Sequence, residues 1–403
     1  MRRLFATAMA LLGTAGFVAL DVSPAAAHPQ PPTYTVTSQT PAGPNPHFPA
    51  FDPTSGHVLV SNVSVGTVSE VTIGAGPTRS FTAGTTPHTV VVDDATRRAF
   101  VTNKGSSSVS VIDLITGGTS HFAVGPNPHG LAVDNKFGRL YVTSIDADRL
   151  EVYDLATLAP ITTVPVGDGP WGVAVGPGQI AVTDTAADTV HLIDRDSLEV
   201  RDVVTVGAGP WNSTFLAGTL YVTLERTGEV VAVRHAKVAW RTPVGASPHG
   251  ISADHQRNTV LAAVTGTNQV AVLDARGGRL LQSIPVTAGP AGMTIDRRTG
   301  RVFVGNQAAG LVTTLEPGDM ADVRSRSRLA DQRHATANSA GCNPNLIVPG
   351  ARPGRGKTSF GLDRLESLNA QRRGGRGASP TRASTFRTRR AGCRPGRPRA
   401  SRS

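Results

Sequence analysis

A proline recurs along this chain at nearly even spacing, each time at the start of an apolar, alternating segment. The spacings are 41, 41, 42, 40, 38 and 42 residues, between Pro46, Pro87, Pro128, Pro170, Pro210, Pro248 and Pro290. Internal repeats of this length indicate one supersecondary unit per repeat, and such units bury their apolar faces only by packing against their neighbours. The period therefore restricts the chain to a repeat architecture.

Each repeat contains four predicted strands. In the third repeat the first strand ends at Asp134, a turn runs to Gly138, and the later strands cover residues 140–144, the segment around Val152 and residues 161–166. Alternating apolar residues joined by Asp- and Gly-containing turns are typical of antiparallel hairpins. Four-stranded sheets with two apolar faces are buried by closing a ring around an axis, as in a β-propeller. The sequence thus predicts an all-β, seven-bladed β-propeller.

The two ends of this fold are expected to meet. The last repeat supplies three strands, ending near Leu315, and one isolated strand at residues 34–38 precedes the first repeat. Added as the outer strand of the last blade, the isolated strand leaves no open sheet edge at the seam. The prediction is a propeller closed by its N-terminal strand.

The second strand of the repeats carries a recurring tetrapeptide, Phe100-Val101-Thr102-Asn103 in one repeat and Tyr141-Val142-Thr143-Ser144 in the next. Through it, the chain resembles the YVTN-type β-propeller repeat family over residues 33–316. The resemblance implies a secreted or cell-surface seven-bladed propeller, usually without an assigned biochemical role. Seven-bladed lactonases and streptogramin lyases are similar in fold and imply metal-assisted chemistry at one face of the ring.

Composition divides the chain into three predicted segments. Residues 1–27 read as a signal peptide, with Arg2 and Arg3 ahead of an apolar run and Ala25-Ala26-Ala27 as a small-residue cleavage site. Residues 28–316 form the predicted propeller, with 19 basic against 23 acidic residues. Residues 317–403 carry 19 basic against 5 acidic residues and little hydrophobic periodicity, so they are predicted to be disordered. The expected location is secreted or cell-surface, and no transmembrane segment is predicted.

Two interpretations of the basic segment stay open. As a functional polycation it would contact anionic cell-wall polymers or nucleic acid non-specifically. Alternatively it has no selected role and is an out-of-frame extension of a GC-rich gene, since Arg, Gly, Pro and Ala predominate.

Two sets of residues are predicted to share one rim of the ring. Because the first two strands of a repeat run antiparallel, the start of the first and the end of the second lie at the same end. The residues after the repeating prolines are His47, His88, His129, Trp171, Trp211, His249 and Ala291, and those ending the second strands include Asn62, Asn103, Ser144, Asp184 and Asn306. This face is the predicted ligand-binding face. The Asp residues ending the third strands, at the opposite rim, are predicted turn acceptors.

The histidines allow two interpretations. His47, His88 and His129 occupy equivalent positions, and three imidazoles converging on an axis could hold Zn²⁺ or Cu²⁺ with an open position for water. In the structural alternative, each histidine bonds a backbone group of the next blade. The structural alternative is favoured because no carboxylate shares the ring to orient the imidazoles. No cofactor is expected, and a divalent metal stays the open alternative.

The most favoured function is a binding or scaffold module, monomeric, with a protein or glycan ligand at this face. Trp171 and Trp211 are suited to stacking on a sugar, or else fill space left by shorter hairpins. The alternative is a metal-assisted lactonase- or lyase-like enzyme in which His249 acts as general base. The chain has no Gly-x-Ser-x-Gly or His-Glu-x-x-His motif, which disfavours the enzyme.

Overall fold

The computed structural model describes residues 32–318. The predicted signal peptide, and the predicted basic segment beyond Gly318, lie outside the described residues. Three short 3-10 helices occur at Lys104–Ser106, Ile145–Ala147 and Thr265–Thr267. All other regular structure in residues 32–318 is β-strand.

The strands of the described residues number 28. Their bounds are β1 Tyr34–Pro41, β2 Pro46–Phe51, β3 Val58–Asn62, β4 Thr67–Thr72, β5 Gly76–Thr82, β6 Pro87–Asp93, β7 Arg98–Asn103, β8 Ser108–Asp113, β9 Thr119–Ala123, β10 Pro128–Asp134, β11 Arg139–Ser144, β12 Arg149–Asp154, β13 Pro160–Pro165, β14 Pro170–Val175, β15 Gln179–Asp184, β16 Thr189–Asp194, β17 Val200–Thr205, β18 Pro210–Leu216, β19 Thr219–Leu224, β20 Glu229–Arg234, β21 Lys237–Pro243, β22 Pro248–Asp254, β23 Thr259–Val264, β24 Gln269–Asp274, β25 Leu280–Pro285, β26 Pro290–Ile295, β27 Val302–Asn306 and β28 Leu311–Pro317. Every repeating proline is the first residue of a strand, as predicted.

Each repeat folds as an antiparallel meander of four strands in sequence order. β10–β13, β14–β17, β18–β21 and β22–β25 are separate four-stranded sheets. β2–β5 and β6–β9 have the same order and are joined into one eight-stranded sheet by a single parallel bridge between Phe48 and Thr89. The strands that begin at the prolines contact one another in order, and β26 contacts β2. This arrangement is consistent with the predicted propeller.

Apolar side chains fill the space between neighbouring sheets. Phe100 of β7 packs in one cluster with Leu140 and Tyr153 of the following repeat. Tyr141 of that repeat packs in the next cluster with Ile180. Because each sheet contributes residues to the clusters on both of its faces, burial depends on both neighbours, as the repeat pattern requires.

The N-terminal strand completes the last sheet, as predicted. β1 pairs antiparallel with β28 in the order β1-β28-β27-β26. The Tyr34 hydroxyl also donates to Asp254 Oδ2 in the preceding repeat, at 2.8 Å. The predicted boundary at residue 316 needs a correction, because Pro317 pairs with Tyr34 and belongs to β28.

Candidate functional site

A left-handed residue precedes each repeating proline and sets the start of the innermost strand. The seven residues have φ between 51° and 73°, and they are Asn45, Thr86, Asn127, Gly169, Gly209, Ser247 and Gly289. Asn and Gly adopt this region most readily, whereas a β-branched Thr86 is strained there. The turn places the residue after each proline at the rim of the axis.

Hydroxyl groups of the neighbouring repeat hold those residues in place. Thr102 Oγ1 accepts from Thr89 N at 3.1 Å in its own repeat and donates to the carbonyl of His129 in the next, at 2.9 Å. The same donation to the next repeat is made by Ser61 to His88, Thr143 to Trp171, Thr183 to Trp211 and Thr223 to His249. Sequence reasoning missed this link, although the recurring Val-Thr in the second strand was its signal.

The predicted rim residues form one continuous row, here called the axial row: His47, His88, His129, Trp171, Trp211 and His249. Successive ring centroids are 3.9, 3.8, 3.9, 4.2 and 4.5 Å apart. The planes of Trp211 and His249 lie 9° apart, so these two rings are stacked. The other four neighbouring pairs are tilted by 41° to 56°. The side chains that the sequence grouped at this rim are therefore in mutual contact.

A hydrogen-bonded chain runs through two of the histidines. His129 Nδ1 lies 3.2 Å from the carbonyl oxygen of Trp171, which can only accept, so this nitrogen carries the proton. The Nε2 of a neutral His129 then accepts from His88 Nε2 at 3.1 Å. His88 Nδ1 in turn lies 3.4 Å from the Thr89 hydroxyl. The predicted bond from a histidine to the backbone of the next repeat is confirmed for His129.

Burial keeps the axial imidazoles neutral. The side chains of His47, His88 and His129 are 9%, 6% and 2% exposed. Desolvation, with added repulsion from neighbouring histidines and Lys104, lowers the pKa of His47 to about 3 and the pKa values of His88 and His129 well below 6.5. Desolvation also lowers the pKa of His249 to about 4.

The metal alternative gains no support from the arrangement of ligands. Within residues 32–318, no three His, Cys, Asp or Glu side chains are grouped so that they could hold a metal ion. The protons assigned to His88 Nε2 and His129 Nδ1 also occupy two of the candidate ligand atoms. Metal binding by His47, His88 and His129 stays a prediction.

One end of the axial row is partly exposed. Trp171, Trp211 and His249, here called the aromatic platform, are each half-buried. The Lys104 Nζ lies 4.9 Å from the ring centroid of Trp171, and burial lowers the pKa of Lys104. In the described part of the chain, Lys104 makes no ion pair and the His249 imidazole makes no hydrogen bond. The platform therefore presents partly exposed aromatic rings beside one cation, and His249 lacks the carboxylate that would orient a general base.

The second predicted set of residues needs a correction. Asn62, Asn103, Asp184 and Asn306 are at most 2% exposed. Each bonds the residue seven positions on, in the third strand of its own repeat: Ser69 at 2.8 Å, Ser110 at 2.9 Å, His191 at 2.6 Å and Thr313 at 2.7 Å. Ser144 bonds Glu151 in the same way, at 2.9 Å. The side chains of these residues are buried against the third strand of their own repeat and are not exposed on the predicted ligand-binding face.

Strand register explains this correction. Asn62, Asn103 and Asn306 pair directly with Pro46, Pro87 and Pro290. Directly paired residues share a face of a sheet. The pairing is irregular directly after each of these prolines, so the following residue leaves the regular ladder. The residue after the proline and the asparagine therefore meet at one rim without sharing a face.

The turn acceptors at the opposite rim are confirmed. Asp113 Oδ1 accepts from the backbone N–H groups of Ile115 and Thr116, at 2.8 and 2.9 Å. Asp154, Asp194 and Asp274 accept from the backbone of their own turns in the same manner.

Phe48 blocks the axis below the histidines. Its ring lies 4.8 Å from His47 and 5.4 Å from His88, centroid to centroid. The facing residue on β26 is Gly292, where any side chain would meet the Phe48 ring. The other repeats carry smaller residues than Phe at the position of Phe48. The axial row and Phe48 thus close one end of the axis.

Comparison with known proteins supports the fold. A solved structure of Kuenenia stuttgartiensis hydrazine synthase is similar, with a TM-score of 0.61 and 18% sequence identity, covering 69% of this chain and 97% of that one. The fold is a β-propeller. At this identity the likeness shows the fold alone. No family model matches the chain, and no curated protein matches it. In residues 32–318 no helix is long and apolar enough to cross a membrane.

Proposed function

We propose that this chain is a secreted or cell-surface, seven-bladed YVTN-type propeller that binds a glycan on its aromatic platform. The observation that carries the proposal is the contact between Trp171 and Trp211, with ring centroids 4.2 Å apart and both side chains partly open to solvent. Partly exposed indole rings bind the apolar faces of sugar rings. The Nε1 atoms of Trp171 and Trp211 are buried and have no hydrogen-bond partner among the described residues, so ring contact alone would hold the sugar.

The electrostatic surroundings favour binding over catalysis. The axial histidines are neutral at physiological pH because their pKa values are lowered. His249 has a pKa of about 4, so it would be a weak base at pH 7. A metal-assisted lactonase- or lyase-like reaction at this face would need acidic residues near the cation, and Asp184 is engaged with His191 inside its sheet. The enzyme is therefore the less supported alternative.

Tryptophan fluorescence tests the proposal, because the chain has only three tryptophans. We expect soluble chitin, cellulose or mannan oligosaccharides to change the emission of the full-length protein. Trp211→Ala should raise the dissociation constant about fivefold, since each stacking contact contributes on the order of 1 kcal/mol beyond area burial. Trp240→Phe, on the outer strand β21, is the matched control and should bind as the wild type does.

Two results would overturn this assignment. One is oligosaccharide binding that is unchanged in both Trp171→Ala and Trp211→Ala variants. The other is a wild-type protein that binds no oligosaccharide but captures a protein ligand through the same tryptophans. Fractionation of the source cells, with the protein found in the cytoplasm, would refute the secreted or cell-surface location.

A further inference from the structure

A cavity occupies the axis on the far side of the axial row. Its volume is about 680 Å³, and its walls come from the innermost strands of six repeats, β2, β6, β10, β14, β18 and β26. No member of the axial row lines it. At the other end it reaches the exposed turns that carry Asp94, Asn135, Arg297 and Arg298. The cavity is therefore closed at the rim of the platform and open at the opposite rim.

The middle of the cavity is lined by small side chains. Five partly exposed residues in the middle of their strands supply it: Val91, Ala132, Ala174, Thr214 and Thr294. Closer to the mouth, Val92, Val133 and Ile295 continue the wall. Pockets of 300 to 1,000 Å³ are the usual size of small-molecule sites. The Val, Ala and Thr side chains of the wall can pack against a compact apolar body, and the wall also exposes polar atoms.

At the mouth of the cavity, the guanidinium of Arg297 has no acidic partner among the described residues. Asp94 accepts from Arg97 at 2.9 Å and from the Thr54 hydroxyl at 2.5 Å. Asp296 accepts from the Arg298 backbone at 2.9 Å and from Thr299 at 2.7 Å. The Arg297 side chain is exposed and makes no hydrogen bond or ion pair within residues 32–318.

We infer that this cavity binds a small amphipathic anion, with its apolar body between the innermost strands and its acidic group at Arg297. An arginine binds a carboxylate or sulfonate through two parallel hydrogen bonds, which fixes the orientation of the ligand. The ligand enters from the rim that carries the turns with Asp94 and Arg297, because Phe48 and the axial row close the other end. This site is independent of the aromatic platform, which faces away from it.

A pair of fluorescent probes separates the two parts of the inference. 8-Anilinonaphthalene-1-sulfonate and N-phenyl-1-naphthylamine share an apolar body, and only the first carries a negative charge. We expect the full-length protein to bind both and to prefer the sulfonate. Arg297→Gln should weaken sulfonate binding about tenfold, the loss of one charge-assisted contact, and leave the neutral probe unchanged. Arg276→Gln, in an exposed turn between β24 and β25, is the matched control and should change neither probe.

A second variant tests the cavity itself. Ala132→Phe places a large side chain in the middle of the wall and should abolish binding of both probes, with circular dichroism and thermal unfolding reporting whether the fold is intact. Dodecanoate should displace the sulfonate more effectively than dodecanol does. The inference is refuted if Arg297→Gln affects both probes equally or neither. It is also refuted if a folded Ala132→Phe protein binds both probes as the wild type does.

Discussion

Acidification from pH 7 to pH 5 is expected to destabilise the propeller through its buried histidines. His47, His88 and His129 have folded-state pKa values well below 6.5, and that of His47 is about 3. As pH falls through 6.5 the unfolded chain takes up protons that the folded chain does not, so the free energy of unfolding decreases. The stabilising contribution of His47 is complete above pH 6.5 and is lost progressively towards pH 3.

The size of the effect follows from the pKa difference. Each unit corresponds to about 1.4 kcal/mol, so His47, with a pKa of about 3 in the folded chain, contributes a loss of about 2 kcal/mol between pH 7 and pH 5. Burial of His88 and His129 lowers their pKa values as well, so they add to the loss in the same direction. Asp52 and Asp134 have pKa values below 3.8, so their contributions change only at lower pH.

Urea unfolding at pH 7, 6 and 5, followed by far-ultraviolet circular dichroism, measures this effect. His47→Gln is the most informative variant, because His47 Nδ1 has no hydrogen-bond partner among the described residues. It should reduce the pH-dependent loss by about 2 kcal/mol. His235→Gln, at an exposed position, should not change it. Equal stability of the wild type at pH 7 and pH 5 would refute the argument.

Deleting residues 28–40 should abolish cooperative unfolding, because it removes most of β1. Deleting residues 319–403 should leave the melting temperature unchanged, and the reverse pair of results would refute closure by β1. Thr102→Val should lower the free energy of unfolding in urea by about 2 to 4 kcal/mol, because it leaves the amide of Thr89 and the carbonyl of His129 without their partner. The control Thr162→Val, at an exposed position, should lower it by less than about 0.5 kcal/mol. If residues 317–403 act as a polycation, binding of full-length protein to heparin should fall steeply with salt and be absent after truncation at residue 318; equal binding by both forms would assign the contact to the propeller.

The repeating prolines predicted the strand starts because they combine a fixed φ with a missing N–H donor at a strand end. The closing strand was also predictable. The last repeat has three strands, so the single strand before the first repeat can complete a four-stranded sheet only there. The burial of Asn62 and Asn103 does not follow from strand alternation, because the ladder is irregular just after Pro46 and Pro87. Two residues at one rim need not lie on one face.

The axial cavity could not be predicted from the repeats. Its depth depends on Phe48, the one large residue at a position where the other repeats have smaller ones, and on its packing against Gly292 across the seam. Phe48 and Gly292 belong to the first and last repeats, so their contact forms only when the ring closes. Its distance depends on the radius of the ring, which the repeat pattern does not give. The absence of an ion pair at Arg297 could not be predicted either, because it depends on which neighbouring groups bond to Asp94 and Asp296.

Closure of the last sheet by β1 has a consequence for the order of folding. Tyr34 is among the first described residues to be synthesised, and its partner Pro317 is among the last. The strand must stay unpaired until nearly the whole ring exists, and joining ends so far apart costs about 5 kcal/mol of chain entropy. The final pairing is thus a late step that depends on all earlier repeats being in place. A ribosome-bound chain that stops before β28 would carry a free β1 edge, able to pair with another molecule.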